Sequence, residues 1–395
     1  MPFTKFVKET IRPFLSKKKI QKIKVFLSYL KLPYSLLSVT ILKKPEGTTL
    51  LCIDSPAPIG GAETQVHLIA VELKKMGLTP LIVTTGRLPN KRKSLFFQRL
   101  KQSDIEHIHL GCTFLLTNYT EKLLKKTQAT HCHCFNPSAT FLIDAAKKAG
   151  LKIIYSELGL PSQHPWWDPL RLHIDQIESL IAISSRSLSA LKNLGYKKPI
   201  QLLYSLIAPP PPLLRARSPV PGEFKIVYFG RLHSDKGVYL LLSAFKQLLT
   251  IYTDAHLTFL GEGEARKTLE KQLKGTKYPV SFFSLQNNLF EQISQFDLMC
   301  LPSFSEGTPC TILEAMSIGL AVLATSVGGI PELIESEVSG ILVPPHNEKA
   351  LLEGLIRLAQ NPELRKQIAN QGFERFKEFS PSNIAPLLAV IYADS

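Results

Sequence analysis

From Thr48 onward, short runs of apolar residues alternate with longer segments whose apolar positions recur every three or four residues. Thr49–Asp54 (T-L-L-C-I-D) reads as a buried strand, and within Ala62–Met76 the residues Val66, Ile69, Ala70 and Leu73 share one helical face. Gly77 stops that helix, and Pro80–Thr84 predicts the next strand. The rhythm continues with strands at Glu106–Leu110, Ala129–Cys134, Lys152–Ser156 and Leu180–Ser184. After Ala208 come four consecutive prolines, Pro209–Pro212, and two more before Gly222; such a run excludes a helix interior and favours a stiff extended connector. Beyond it the alternation restarts, with strands at Lys225–Phe229, His256–Leu260, Val280–Ser284, Leu298–Leu301, Ala321–Ala324 and Gly340–Val343. Strands alternating with helices build a parallel sheet covered on both faces. The pattern therefore predicts two doubly wound α/β domains, residues 48–208 and 223–379, joined by a linker at 209–222, with a ligand cleft at the carboxyl ends of the strands.

Composition narrows the class. The 395 residues are 45% apolar and 20% charged, a normal globular balance. No uncharged apolar run reaches the length of a membrane span, and Leu32–Leu42 ends without a small-residue cleavage site, so no signal peptide is expected. Six cysteines do not make a disulfide framework, which points to a reducing, cytoplasmic setting. The net charge of +15 is uneven: residues 1–47 carry +9 and the remainder +6. A uniformly basic nucleic-acid-binding surface is not implied, and no nucleic-acid partner is expected.

Three loops carry candidate chemistry. Gly230-Arg231-Leu232-His233-Ser234-Asp235-Lys236-Gly237 lies between a strand and a helix, so Arg231 and Lys236 bring cations to a helix N-terminus, a natural seat for a diphosphate. The plain alternative is two solvated loop charges. After the strand ending at Leu301, the segment Ser305-Glu306-Gly307-Thr308-Pro309-Cys310-Thr311 predicts a helix capped by Thr308 with Pro309 at its first position. Backbone N–H groups from Gly307 to Thr311 would face an anion, while Glu306 and Glu314 would accept hydrogen bonds from sugar or ribose hydroxyls. In the first domain, Gly60-Gly61 lets backbone approach a ligand closely at a helix start. His131-Cys132-His133-Cys134 resembles a metal motif, but strand alternation sends the histidines to one face and the cysteines to the other, so no metal is expected. His133, nearer the strand's carboxyl end, is the candidate cleft histidine; packed histidines are the plain alternative. Neither a complete dinucleotide fingerprint nor an ATPase-type phosphate loop is present.

Together these motifs resemble the retaining GT-B glycosyltransferases of glycolipid and polysaccharide synthesis, over about residues 48–395 and most strongly from Phe224 to Pro345. The spacing of Glu306 and Glu314 is the most recognisable feature. The resemblance implies two Rossmann-like domains facing across a cleft, a nucleotide diphosphate sugar as co-substrate, no cofactor, and usually no metal. It implies that Arg231 and Lys236 bind the diphosphate with Gly61 opposite. Glu306 would touch the transferred sugar, Glu314 the ribose, and His133 would sit beside the anomeric centre. It also implies that the C-terminal helix, within residues 380–395, crosses back onto the first domain. Two segments depart from the family pattern near the cleft: Leu158 stands where many members have His, and Ser205-Leu206-Ile207-Ala208 replaces an Asn-Gly pair.

A nucleotide-sugar epimerase and a non-catalytic nucleotide-sugar-binding protein are the competing readings; the complete Arg, Lys, Glu and Glu set favours transfer. Trp166, Trp167 and Arg171 are candidate acceptor contacts in a Pro-rich stretch. Residues 1–47 form a basic extension in which Phe3, Phe6, Val7, Ile11, Phe14 and Leu15 share one helical face and Ile20, Ile23, Phe26, Leu27 and Leu30 repeat it. A basic amphipathic helix suits an anionic membrane surface, consistent with a glycan or lipid-linked acceptor and a peripheral location on the inner membrane face.

Overall fold

The computed structural model describes residues 48–54, 60–85, 94–111, 117–135, 142–158, 173–193, 195–218 and 222–394, together with 170 and 220. The basic extension at 1–47 and the candidate acceptor residues Trp166, Trp167 and Arg171 lie outside them.

The first domain is a seven-stranded sheet made of β1 (Thr48–Asp54), β2 (Thr79–Thr85), β3 (Glu106–Gly111), β4 (Ala129–Cys134), β5 (Lys152–Glu157), β6 (Ser179–Ala182) and β7 (Ile200–Leu202). Its order is β3-β2-β1-β4-β5-β6-β7, and every pairing is parallel. The second is a six-stranded parallel sheet of β8 (Phe224–Phe229), β9 (Ala255–Leu260), β10 (Val280–Phe283), β11 (Leu298–Leu301), β12 (Ala321–Thr325) and β13 (Ile341–Val343), in the order β10-β9-β8-β11-β12-β13. Strand order therefore reverses beside β1 in one domain and beside β8 in the other. At such a switch point the loops leaving adjacent strands diverge to opposite faces and open a crevice, which makes the described segments following β8 and β11 ligand-facing. Strand β7 escaped the pattern because three residues, I-Q-L, are too few to show a period.

The connector does not swing free. Leu206 and Ile207 are buried, and the backbone N–H groups of Ala216 and Arg217 donate to the carbonyls of Ile318 (2.8 Å) and Ser294 (2.7 Å). The last helix, Pro381–Asp394, returns to the first domain. Its Ile384, Leu388, Ile391 and Tyr392 join the core formed by Leu51, Ile53, Val66, Ile69 and Ile154. Burying each such side chain is worth about 1.5–3 kcal/mol, enough to make the C-terminus an integral part of the N-terminal domain.

Candidate active site

The loop after β8 turns through a short 3-10 segment, Ser234–Lys236, into the helix Val238–Leu248. Gly237 at φ 66° makes that turn, and a Cβ there would strike the backbone carbonyl of Pro302. The close approach sets Lys236 against the loop after β11. Lys236 Nζ donates to Glu306 Oε1 at 2.8 Å, and Ser303 Oγ donates to the same oxygen at 2.6 Å. Glu306 is thus held through Oε1, and among the described residues none donates a hydrogen bond to Oε2. Ser303 is itself fixed, because its carbonyl accepts from Thr325 Oγ1 at 2.5 Å. Arg231 sits more openly, with Nη2 3.4 Å from Asp235 Oδ2.

The next helix, Cys310–Ser317, starts one residue later than the turn chemistry suggested. Pro309 is the N-cap and Thr308 does not cap. The hydroxyl of Thr308 instead donates across the domain boundary to the carbonyl of Ile183, and its own carbonyl accepts from Ser205 Oγ at 2.8 Å. No side chain caps this helix; Ile312 N–H donates to the Pro309 carbonyl at 3.2 Å, while the N–H groups of Cys310 and Thr311, two residues that line the cleft, have no backbone acceptor among the described residues. That arrangement suits an anion better than the capped helix expected from sequence.

Across the gap, the helix Gly61–Lys75 begins with Gly60 as an N-cap that supplies no side-chain bond. The cleft between the two helix starts has a volume of about 440 Å³. Gly61, Arg231, Lys236, Glu306, Gly307, Thr308, Pro309, Cys310, Thr311 and Glu314 all line it, so the expected donor-binding residues meet in one place. Burial pushes the Glu314 carboxyl up to about 7, with the Arg99 charge pulling the other way. Sequence reasoning missed Arg99 and Gln65, which also line the cleft. Each stands in an ordinary helical pattern, with no local signal to set it apart. Leu158 and Ser205, from the two departing segments, line it as well.

His133 is a correction. It was expected beside the reacting carbon, but it is fully buried and lines no part of the cleft. Its Nδ1 lies 2.6 Å from Tyr392 Oη and its Nε2 2.7 Å from Ser156 Oγ, while its ring stacks on Phe135 at 4.0 Å between centroids. Both nitrogens are committed and burial pushes the imidazole down to about 3, so it acts as a neutral bridge between β4, β5 and the last helix. On the other face of β4, Cys132 and Cys134 meet Cys52, with all three Sγ atoms within 4.8 Å of one another. The alternation of histidines and cysteines is as expected, but the third thiol comes from β1, where the pairing Cys52↔Cys134 brings it. This trio is buried in the sheet and lines no part of the cleft.

Residues 213–375 match the family model of glycosyl transferases group 1, which covers most of the C-terminal domain. The α-D-kanosaminyltransferase of Streptomyces kanamyceticus is 31% identical over 184 residues, 46% of this chain and 45% of that protein. A Campylobacter jejuni N-acetyl-D-galactosaminyltransferase named for a PP-undecaprenol-linked acceptor is 27% identical over 164 residues, 41% of this chain and 46% of that protein. Both matches span less than half the relative's length. Among solved structures, Anabaena HepE in complex with UDP and glucose superposes with a TM-score of 0.75 at 19% identity, over 88% of this chain and all of that one. The fold is therefore GT-B: two Rossmann-like domains facing across a cleft. The matches support a GT-B glycosyltransferase family.

Proposed function

We propose that the protein is a glycosyltransferase that moves a hexose from a nucleotide diphosphate sugar to a hydroxyl of a glycan or lipid-linked acceptor, with retention of configuration and without a metal. One observation carries the reading. Lys236, Glu306 and Glu314 meet an uncapped helix N-terminus in a cleft whose opposite wall is a second helix start at Gly61.

As the bond from the anomeric carbon to the diphosphate oxygen breaks, negative charge grows on the leaving group. Lys236, Arg231 and the two helix N-termini stabilise that charge electrostatically. Oε2 of Glu306 accepts a hydroxyl of the sugar and orients the anomeric carbon, and Glu314 accepts from the ribose. The acceptor oxygen forms the new bond, and its proton leaves with the diphosphate. The relatives named for aminosugar and lipid-linked transfer, and the fold-mate solved with UDP and glucose, support this class of donor and acceptor. Retention and metal independence rest on the family resemblance.

The test is incubation with labelled nucleotide sugars, with and without a panel of hydroxyl acceptors, in EDTA. Acceptor-dependent transfer of label is the expected result. A new nucleotide sugar formed without acceptor would make the protein an epimerase, and loss of turnover in EDTA with recovery in Mg²⁺ would overturn the metal-free mechanism.

The basic extension supports a peripheral contact with anionic membrane on the cytoplasmic face, since each Lys or Arg near such a surface adds about 1 kcal/mol. Among the described residues no helix is long and apolar enough to cross a membrane. The full chain should float with anionic liposomes and release in high salt, whereas a chain starting at Thr48 should stay at the bottom of the gradient. Equal behaviour of the two would remove the membrane role.

A further inference from the structure

Gln65 lies one turn into the helix Gly61–Lys75 and is 5% exposed. Its side-chain amide grips the peptide of Leu206 from both sides. Nε2 donates to the Leu206 carbonyl at 2.7 Å, and Oε1 accepts from the Leu206 N–H at 2.8 Å. The backbone partners fix the orientation of the amide, because only this one lets both bonds form. Nε2 also donates to Cys310 Sγ at 3.1 Å. Cys310 is the first residue of the helix that presents its N-terminus to the cleft. Leu206 belongs to the segment that leads out of the first domain, and its neighbour Ser205 is bonded to the Thr308 carbonyl.

One neutral side chain therefore joins three things: the helix that starts at Gly61, the strand of chain that crosses between domains, and the helix that starts at Cys310. The two helix starts carry partial positive charge and face one another, which is unfavourable in the absence of an anion. A fixed separation needs a tie that adds no charge of its own. A carboxylate would repel the Leu206 carbonyl, and a lysine or arginine could not accept from the Leu206 N–H. Glutamine meets both demands.

We propose that Gln65 is a positioning residue that sets the spacing of the two helix N-termini across the cleft, so that both reach the same leaving diphosphate. The proposal rests on the reading of the cleft as a nucleotide-sugar site. It predicts that Gln65 governs turnover rather than nucleotide affinity, because Arg231, Lys236 and Glu314 all belong to the C-terminal domain and keep their places without it.

The test uses the full chain and Gln65→Glu. When neutral, the introduced carboxyl keeps both bonds to Leu206, its carbonyl oxygen accepting from the N–H and its O–H donating to the carbonyl; it has no second proton for Cys310, whose thiol, kept protonated by burial, donates to the carboxyl's hydroxyl oxygen instead. When ionised, it places a negative oxygen against that carbonyl. Turnover of Gln65→Glu relative to the native protein should thus be lower by about tenfold or more at pH 8 and recover on acidification toward pH 6. Gln65→Ala should be low at every pH. Titration with UDP, GDP and ADP should find the nucleotide that the native protein prefers bound by both variants within about threefold of native affinity. A pH profile for Gln65→Glu parallel to the native one, or nucleotide affinity falling in step with turnover, would overturn the proposal. A second readout does not depend on the ligand. With one spin label per domain, at the exposed positions of Lys101 and Lys349, Gln65→Ala should broaden the interdomain distance distribution, and Gln65→Glu should do so at pH 8 but not at pH 6. An unchanged distribution would overturn the positioning role even if transfer is found. The expected broadening in a protein that binds none of the three nucleotides would keep the tie and defeat the reading of the cleft.

Discussion

Lys236→Ala is expected to lower kcat/KM for the nucleotide sugar by about a hundredfold, and Arg231→Ala by about tenfold. Both remove a cation that the proposed mechanism sets against the leaving diphosphate, but their settings differ. Lys236 is largely shielded, with 18% of its side chain exposed, and it also anchors Glu306 Oε1 at 2.8 Å. Losing it should take away both the proposed charge stabilisation and the anchor that orients the Glu306 carboxylate. Arg231 is 53% exposed and shares its charge with Asp235, so water and that carboxylate screen it more. Steady-state kinetics with saturating acceptor reads the difference. Losses under threefold at Lys236, or a larger loss at Arg231 than at Lys236, would contradict this account of the diphosphate site.

Features set by local sequence were largely legible, and features set by contacts across the chain were not. Thr48–Asp54, Ala129–Cys134 and Leu298–Leu301 are apolar runs bounded by polar or turn residues, so their strands could be placed to within a residue. The donor loop was equally plain, because Gly237 and the segment around Pro309 announce turns by their own backbone chemistry. The cap was misjudged because Thr308 has a better acceptor in the carbonyl of Ile183, 125 residues away in sequence. His133 was misplaced for a related reason. Alternation along β4 showed that the two histidines share a face, but only the last helix, which brings Tyr392 from 259 residues away, decides that this face is core rather than cleft. Gln65 gave no signal at all, since its meaning lies in Leu206 and Cys310, neither of them near it in sequence.

The paired glutamates should separate by step and by pH. Glu306 is held at Oε1 by Lys236 and Ser303, so Glu306→Gln should disturb the sugar contact and lower turnover while leaving nucleoside diphosphate affinity within a few-fold, about the scale of one altered hydrogen bond. Glu314 is nearly buried, and its carboxyl titrates near 7 because burial disfavours the charge. In the proposed site the ionised form accepts from the ribose hydroxyls, so native affinity should be full above pH 7 and fall below it by up to about tenfold per unit. Glu314→Gln is neutral at every pH and should bind weakly without that dependence. Calorimetric titration of the preferred nucleoside diphosphate between pH 5.5 and 8.5 gives both results. Protonation of the diphosphate itself is common to all the proteins and cancels in the ratio of native to variant affinity. That ratio should be large at pH 8.5 and shrink toward pH 5.5 for Glu314→Gln, and stay flat for Glu306→Gln. Equal losses in the two variants, or a flat ratio for Glu314→Gln, would show that the carboxylates do not divide sugar and ribose between them.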